Sequence, residues 1–327
     1  MTIMSEVEGV WVFSENAELT LELLSKGREL AHKTQTRLTA LLLGSDIQGQ
    51  AQQLIQHGAD KVLAVDNPRL KEFHAELYLS AIVSLVNQHL PSIILVASTR
   101  RGKELAARLA TRLETGCVPD CIKLDLNDQG NLVAERVVYG GSAVAKIIFH
   151  AKPQIATVPP GTFEKPTPNA DTTGQIVSVE VQFEEPKTEV AEAVQVEASR
   201  LKIEEAQTVI CGGRGVEKKD DFKMLDELAK LIGGQTGNTR PLSEDRKWFS
   251  EWVGLSGHKI RPELYVGCGV SGVIQHVAGI RDSRVIVAIN KDPEAPLCEV
   301  ADYVVIGNLY EIVPALIEAL KRELKSA

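Results

Sequence analysis

The sequence predicts an α/β protein of two domains, each built on a mostly parallel sheet flanked by helices. Short apolar runs alternate with segments of helical period along most of the 327 residues, which is the pattern of parallel sheets covered by helices. A proline-punctuated, glutamate-rich segment interrupts that alternation after residue 159, as a connection between domains does. The chain is also long enough to bury two cores. We therefore expect a Rossmann-like N-terminal domain and a doubly wound C-terminal domain.

The N-terminal domain, predicted over residues 1–185, begins with four short apolar runs. Continuous runs of this length are typical of buried parallel strands. They lie at 10–13, 38–43, 61–65 and 93–97. Between them, apolar residues recur every three or four positions, which predicts helices over 19–31, 47–57 and 75–89. Pro91 ends the third helix because proline lacks the backbone N–H that a helix interior needs.

A basic loop at 98–103 follows the fourth predicted strand and precedes a predicted helix at 104–113. Loops at the carboxyl ends of parallel strands are where such sheets bind anions. We nevertheless interpret this one as the solvated start of a helix, because the N-terminal half shows no second phosphate-binding feature. A β-type region with the glycine corner Tyr139–Gly141 is predicted over 131–155, and an edge strand over 175–183.

Residues 186–200 are predicted to be a linker, because prolines precede them and glutamates outnumber basic residues around them. The C-terminal domain is predicted over 201–327. It begins with a strand at 208–211, a glycine turn at 212–215 and a helix at 222–232. Arg214 stands between the glycines at the tip of that turn, which favours contact with an anion. The last predicted helix, 310–325, carries an apolar packing stripe.

A second strand, glycine turn and helix unit lies at 264–280. The strand Leu264–Cys268 leads directly into the spacing G-x-G-x-x-G of Gly267, Gly269 and Gly272, before a predicted helix at 273–280. This spacing permits a tight turn and the close approach of a pyrophosphate to the helix N-terminus, so a dinucleotide is the first expectation. The next predicted strand ends at Asn290, where an NAD site usually carries an acidic residue, and this weakens NAD as the ligand.

Three stretches of the second domain carry a resemblance to a known family. They are Leu-Tyr-Val-Gly-Cys-Gly-Val-Ser-Gly-Val-Ile-Gln-His at 264–276, Val-Ala-Ile-Asn-Lys-Asp-Pro-Glu-Ala-Pro at 287–296 and Val-Ala-Asp-Tyr at 300–303. Together they closely resemble the α subunit of electron-transfer flavoproteins. The resemblance implies a heterodimer with a β subunit and FAD in the C-terminal domain. It also implies electron transfer between a flavin dehydrogenase, of the acyl-CoA dehydrogenase type, and an acceptor, as a simple carrier or in a bifurcating complex.

The resemblance also assigns roles to side chains. The turn from Gly267 to Gly272, with Ser271, would take the phosphates, and Gln275 would lie along the ribityl chain. Arg240 would lie over the flavin ring, Ser256 would donate toward N5, and His276 would face O2. The complete set of implied cofactor-binding residues is Arg214, Thr239, Arg240, Ser256, Gly257, Gly267, Gly269, Val270, Ser271, Gly272, Gln275, His276, Asn290, Lys291 and Asn308.

Two positions depart from the family pattern or compete for a role. Gly234-Gln-Thr-Gly237 matches a family motif literally, but order along the chain assigns that role to Ser256 instead. Asn308 stands where most members carry an aspartate, and an amide can accept a hydrogen bond but brings no charge. Asn290 and Lys291 are expected on the adenosine and phosphate side.

Composition excludes several functions. A net charge of −8 argues against a nucleic-acid partner or an anionic membrane surface. We expect a cytoplasmic protein, because no leader segment or apolar run of about 18 residues occurs. Five cysteines without a paired C-x-x-C indicate neither disulfides nor zinc, and no arrangement suggests hydrolytic catalysis.

Two alternative functions stay open at this stage. One is an NAD(P)-dependent oxidoreductase that uses the G-x-G-x-x-G turn. The other is a nucleotide-binding module without redox chemistry. A bound flavin would be visible as a yellow colour, which NAD does not give.

Overall fold

The computed structural model describes residues 9–191 and 203–326, and these fall into two compact units. One unit contains residues 9–138 and 142–191, and the other contains 139–141 and 203–326. The predicted α/β class, with mostly parallel sheets flanked by helices, is confirmed. The domain bounds given above stay predictions, and residues 192–200 of the predicted linker lie outside the described residues.

The first unit contains four helices and ten strands among the described residues. The helices are α1 (Ala17–Thr34), α2 (Gln48–Gln56), α3 (Ala75–His89) and α4 (Arg100–Arg112). The strands are β1 (Val10–Phe13), β2 (Leu38–Gly44), β3 (Lys61–Asp66), β4 (Ile93–Ala97), β5 (Cys117–Val118), β6 (Cys121–Leu126), β7 (Leu132–Val138), β8 (Ala143–Ile148), β9 (Gln154–Val158) and β10 (Gln175–Ser178). Seven strands form a parallel sheet in the order β10-β3-β2-β1-β4-β9-β5, and β6, β7 and β8 form a separate antiparallel sheet.

Both faces of the parallel sheet are covered, which explains why its strands are continuously apolar. Successive side chains of a strand point to opposite faces. In β1, Val10 and Val12 pack into the core that α1 and α2 cover, whereas Trp11 and Phe13 pack into the core that α3 and α4 cover. All four side chains are buried. A strand in which apolar and polar residues alternated would place polar side chains in one of these two cores.

The structure supports one prediction in this unit and revises others. The interpretation of 98–103 as the start of a helix is confirmed, with α4 beginning at Arg100 rather than at 104, and Thr99 Oγ1 caps the helix by accepting a hydrogen bond from the Gly102 N–H at 2.8 Å. The edge strand predicted over 175–183 ends at Ser178. Strand β6 was missing from the prediction, because its Cys-Ile-Lys-Leu-Asp-Leu sequence mixes charges into a strand with one solvated face.

Side chains of the first unit hold the residues on both sides of the predicted start of the linker. Just before it, Glu184 donates its backbone N–H to Ser80 Oγ at 2.9 Å, and its carboxylate pairs with Arg112. Within it, His74 Nε2 lies 2.9 Å from the Thr188 carbonyl oxygen. The chain at this boundary is therefore tied down by side chains from α3, α4 and the residue before α3.

The second unit is a five-stranded parallel sheet with helices on both faces. Its strands are β11 (Thr208–Gly212), β12 (Gln235–Asn238), β13 (Leu264–Cys268), β14 (Val285–Asn290) and β15 (Tyr303–Ile306). Its helices are α5 (Phe222–Leu231), α6 (Arg240–Glu244), α7 (Ile274–Ile280), α8 (Pro296–Val300) and α9 (Leu309–Ser326). The strand order is β12-β11-β13-β14-β15.

Alternate residues of the central strands again serve two cores. Ile210 and Val266 face the side covered by α5 and α9, and Val209 and Tyr265 face the side of α7 and α8. Because β11, β12 and β13 run parallel, their carboxyl ends meet at one edge of the sheet. The sequence analysis predicted no strand at β12, because its sequence Gln-Thr-Gly-Asn is polar, and β12 becomes a strand by pairing with β11.

Candidate functional site

Two glycine turns touch each other at the carboxyl edge of the second sheet. The first turn follows β11 and contains Gly213 and Gly215, and the second follows β13 and contains Gly269. The N–H of Gly213 donates to the Cys268 carbonyl at 3.0 Å, and the N–H of Gly215 donates to the Gly269 carbonyl at 3.0 Å. The two strand ends are therefore joined by backbone contacts beyond the sheet itself.

Packing within the protein explains why these positions need glycine. A Cβ atom on Gly213 would lie 2.3 Å from the Gly269 carbonyl oxygen, which is closer than any real contact. Gly272 has a φ of +77°, and a Cβ there would lie 2.3 Å from the Leu297 backbone nitrogen. The sequence suggested that these glycines make room for a pyrophosphate. The structure gives Gly213 and Gly272 a second reason, the close approach of neighbouring backbone.

A cavity of about 430 Å³ opens beside the second turn. It brings together many of the residues predicted for the cofactor, from four separate parts of the chain. Those that line it are Arg214, Thr239, Arg240, Ser256, Val270, Ser271, Gly272, Gln275 and His276. Predicted residues that do not line it are Gly257, Gly267, Gly269, Asn290, Lys291 and Asn308.

Charges of both signs line the cavity. Arg214 and Arg240 are exposed and supply two guanidinium groups, while Glu244 and Asp245 supply two carboxylates. The Arg240 guanidinium carbon lies 5.7 Å from the centre of the Trp252 ring, a cation–π distance. The sequence analysis did not select the two acidic residues or Trp252 as site residues. Glu244 and Asp245 lie four and five positions after Arg240. The four-residue spacing places Glu244 on the same face of α6 as Arg240.

The loop of residues 252–258 forms one wall of the cavity. Ser256 is exposed, and its hydroxyl accepts a hydrogen bond from the Trp252 indole N–H at 3.3 Å. The Leu255 N–H donates to the Gln275 carbonyl at 2.8 Å, which ties the loop to α7. Gly257 serves this fold rather than the cavity, because a Cβ there would lie 2.1 Å from the Trp252 carbonyl oxygen.

His276 lies in the cavity wall as a neutral side chain. Its Nδ1 lies 3.0 Å from the Val253 carbonyl oxygen and its Nε2 lies 2.7 Å from the Tyr265 hydroxyl. Burial lowers the pKa of His276 to about 4, against an ordinary value of 6.5. The neutral form is favoured because His276 is only 5% exposed and its partners are uncharged.

The predicted adenosine-side residues occupy structural positions outside the cavity. The Asn290 amide donates to the Val270 carbonyl at 2.9 Å and accepts from the Asp292 N–H at 3.1 Å, so it braces the second glycine turn. The Asn308 side chain accepts from the Tyr310 N–H at 3.1 Å, at the start of α9. Lys291 is exposed beside Asn290. A contact of these residues with adenosine stays a prediction.

His258 lies between two carboxylates at the end of the 252–258 loop. Its Nδ1 pairs with Glu204, in the turn that precedes β11, and its Nε2 lies 3.1 Å from Glu251 Oε2 without good hydrogen-bond alignment. The hydrogen bond to Glu204 is the largest of the effects that raise the pKa of His258 above its ordinary value of 6.5. The His258 ring therefore connects the cavity wall to Glu204, in the turn that precedes β11.

A second cavity, of about 530 Å³, lies under α5 and α9. Its lining is entirely apolar, so it offers no polar group to orient a nucleotide or a flavin. Within residues 9–191 and 203–326, no group of three or more His, Cys, Asp or Glu side chains is arranged to hold a metal ion. In the same part of the chain, no helix is both long and apolar enough to cross a membrane.

Comparisons with known proteins match the chain over both units. The model of the Electron transfer flavoprotein domain matches residues 10–184, and that of the Electron transfer flavoprotein FAD-binding domain matches residues 202–281. Electron transfer flavoprotein subunit alpha of Clostridium acetobutylicum is 40% identical over 330 residues, which span 97% of this chain and 98% of that protein. The protein of the same name from Bacillus subtilis is 36% identical, with 94% of both chains covered. Lactate dehydrogenase (NAD(+),ferredoxin) subunit LctC of Acetobacterium woodii is 35% identical over 96% of this chain and 77% of its own length.

Replacing Gly272 by alanine tests the packing of the second glycine turn. We expect Gly272→Ala to lower the free energy of unfolding by roughly 2–5 kcal/mol, because a left-handed φ and a backbone collision add together. Gly233→Ala is the matched control: its φ of +65° is also left-handed, but a Cβ there would meet nothing within 4 Å. It should cost about 1–2 kcal/mol. Urea unfolding of both variants measures the difference, and equal losses would contradict this account of the turn.

The His258 pair predicts a pH dependence of stability. Because the folded state raises the pKa of His258, its stabilising effect is full below the unfolded pKa of about 6.5 and is lost as pH rises through the higher folded pKa. We expect His258→Gln to reduce this loss of stability with rising pH. His150→Gln, which changes an exposed histidine of the other unit, should leave the profile as in the parent. Thermal unfolding across that pH range measures both, and identical profiles for His258→Gln and the parent would refute the assignment.

Proposed function

This chain belongs to the electron transfer flavoprotein family as an α subunit, and from that premise we propose that the cavity beside its second glycine turn binds FAD. As a member of that family it is a flavin-binding electron-transfer protein. The main support for this cavity as the FAD site is the set of predicted cofactor-binding residues that line it. Arg214, Arg240, Ser256, Ser271 and Gln275 come from distant parts of the sequence, and one cavity gathers them.

The residues of the cavity suit a flavin nucleotide. Its volume of about 430 Å³ falls within the roughly 300–1,000 Å³ of small-molecule sites. The backbone of Val270, Ser271 and Gly272 lines it in a tight turn at the start of α7, which is a suitable surface for phosphate oxygens. Two arginines supply positive charge for a pyrophosphate or an anionic ring edge. The NAD alternative lacks the acidic residue that would hold a ribose, because Asn290 stands there and braces the turn.

Each residue then has a distinct task. When bound, FAD supplies the capacity to accept and release electrons. Arg240 places a permanent cation at the mouth of the cavity, stacked near Trp252. Ser256 presents a hydroxyl from the 252–258 loop, and Ser271 and Gly272 of the second glycine turn line the space proposed for the phosphates. His276 contributes an uncharged polar edge to the wall.

A second subunit is part of this proposal. Within residues 9–191 and 203–326, β15 is one of the two edge strands of the second sheet, and all four of its side chains are exposed, Tyr303 by 65% and Ile306 by 51%. Exposed apolar edge strands are usually covered by another element. We propose a β subunit as the partner and a flavin dehydrogenase, of the acyl-CoA dehydrogenase type, as the electron donor in the cytoplasm. The name of the Acetobacterium woodii relative supports an alternative assembly, a dehydrogenase complex that uses NAD and ferredoxin, as in a bifurcating enzyme.

The nature of the cofactor is tested by purifying the chain together with its β subunit and releasing the bound molecule with acid. We expect FAD, identified by chromatography and mass, and a flavin spectrum before release. A shift of that spectrum on addition of a reduced flavin dehydrogenase would establish electron transfer. A preparation that contained NAD(P) in place of flavin would refute the proposal.

Arg240→Ala should lower the one-electron potential of the bound flavin. A charge-assisted interaction contributes about 1.5–3 kcal/mol, and about 59 mV corresponds to a tenfold change for one electron. Because Arg240 is exposed, solvent screening favours the lower end, about 60 mV. Arg246→Ala is the control, since that arginine stacks on Trp248 at 4.7 Å and does not line the cavity. Spectroelectrochemical titration at matched flavin content compares them, and equal potentials for Arg240→Ala and Arg246→Ala would mean that the ring lies elsewhere.

A further inference from the structure

A buried chain of side chains ends on the wall of the proposed cofactor cavity. The Tyr265 hydroxyl lies 2.7 Å from Nε2 of His276. On the opposite side of the imidazole, Nδ1 lies 3.0 Å from the Val253 carbonyl oxygen. Tyr265 is fully buried, and Val253 is 2% exposed. Water therefore has no access to replace either of these partners.

These contacts determine which atom carries each hydrogen. A carbonyl oxygen only accepts, so Nδ1 of His276 is protonated and donates to Val253. A neutral imidazole then has a lone pair at Nε2, which accepts the hydroxyl hydrogen of Tyr265. Hydrogen-bond donation thus runs from Tyr265 to His276 and from His276 to the Val253 carbonyl.

The titratable groups around the ring leave this arrangement uncharged. Burial raises the pKa of Cys211 to about 12, and it raises the pKa of Tyr265 and of Cys268 well above their ordinary values. None of these three groups is therefore charged near neutral pH. On the cavity side, the guanidinium groups of Arg214 and Arg240 are matched in number by the carboxylates of Glu244 and Asp245.

We propose that Tyr265 is a positioning residue, which holds His276 as the neutral tautomer with hydrogen on Nδ1 and keeps its Nε2 lone pair occupied. Protonation of Nε2 would require Tyr265 to become an acceptor and to turn its hydrogen away from the ring. That reverses a buried hydrogen bond, which is costly in surroundings of low dielectric constant. The wall of the cavity accordingly presents a fixed dipole without charge. Any effect of this dipole on a bound flavin rests on the proposed function. The arrangement of hydrogens on His276 and Tyr265 does not depend on that proposal.

Nuclear magnetic resonance of the full chain, labelled with nitrogen-15 at histidine, tests this arrangement. In the parent, His276 should show a protonated Nδ1 and an unprotonated Nε2, without titration between about pH 5 and about pH 8. Tyr265→Phe keeps the ring and removes the donor, so the Nε2 nitrogen-15 signal of His276 should move to the position of an imidazole nitrogen that accepts no hydrogen bond. Tyr303→Phe, which removes an exposed hydroxyl from β15 in the same unit, should leave the His276 signals unchanged.

Two results would overturn the proposal. One is a parent spectrum with the hydrogen on Nε2 or with titration of His276 in that pH range, and this result decides the matter even if Tyr265→Phe does not fold. The other is a folded Tyr265→Phe variant whose His276 signals match those of the parent. Flavin content is measured separately on the same samples. Absence of flavin would count against the proposed function and would leave the hydrogen arrangement standing.

Discussion

The second unit depends on the backbone contact between its two glycine turns. Gly213 and Gly215 donate to the carbonyl oxygens of Cys268 and Gly269, and this brings the ends of β11 and β13 closer than any side chain would permit. Once these ends are fixed, Arg214 and the start of α7 are placed on the same side of the sheet edge. The cavity is the space that remains between them and the 252–258 loop. A loss of the contact would therefore change the cavity before it changed the sheet.

Two histidines close to that loop show how position decides protonation. His258 lies between Glu204 and Glu251, so its positive form is favoured, whereas His276 is enclosed by Tyr265 and a backbone carbonyl, so its neutral form is favoured. His258 joins the cavity wall to the segment before β11, and His276 forms part of the wall. The arginines thus supply the permanent positive charge of the cavity, and the buried imidazole supplies polarity alone.

Local sequence patterns predicted much of this structure, because the burial of a strand and the conformation of a tight turn depend mainly on residues that are close in the sequence. Continuous apolar runs identified β1 and β4, and the glycine spacing identified the turn after β13. What the sequence could not reveal depends on partners distant in the chain. The neutrality of His276 follows from burial against Tyr265, strand β12 is polar and becomes a strand through its pairing with β11, and the bracing role of Asn290 needs the position of Val270. No sequence pattern marked Glu244 and Asp245 as site residues, and only the fold shows that they line the cavity.

The free edge at β15 has a consequence for the life of the polypeptide in the cell. A strand with exposed apolar side chains and unpaired backbone groups is a template on which other strands assemble. A newly made chain that has not met its partner is thus exposed to self-association and to quality-control proteases. If a β subunit covers β15, as proposed above, balanced synthesis of the two subunits matters as much as their affinity, because any excess of this chain would carry an uncovered edge. The exposed edge strand β15 would then limit the amount of this chain that accumulates in the cell.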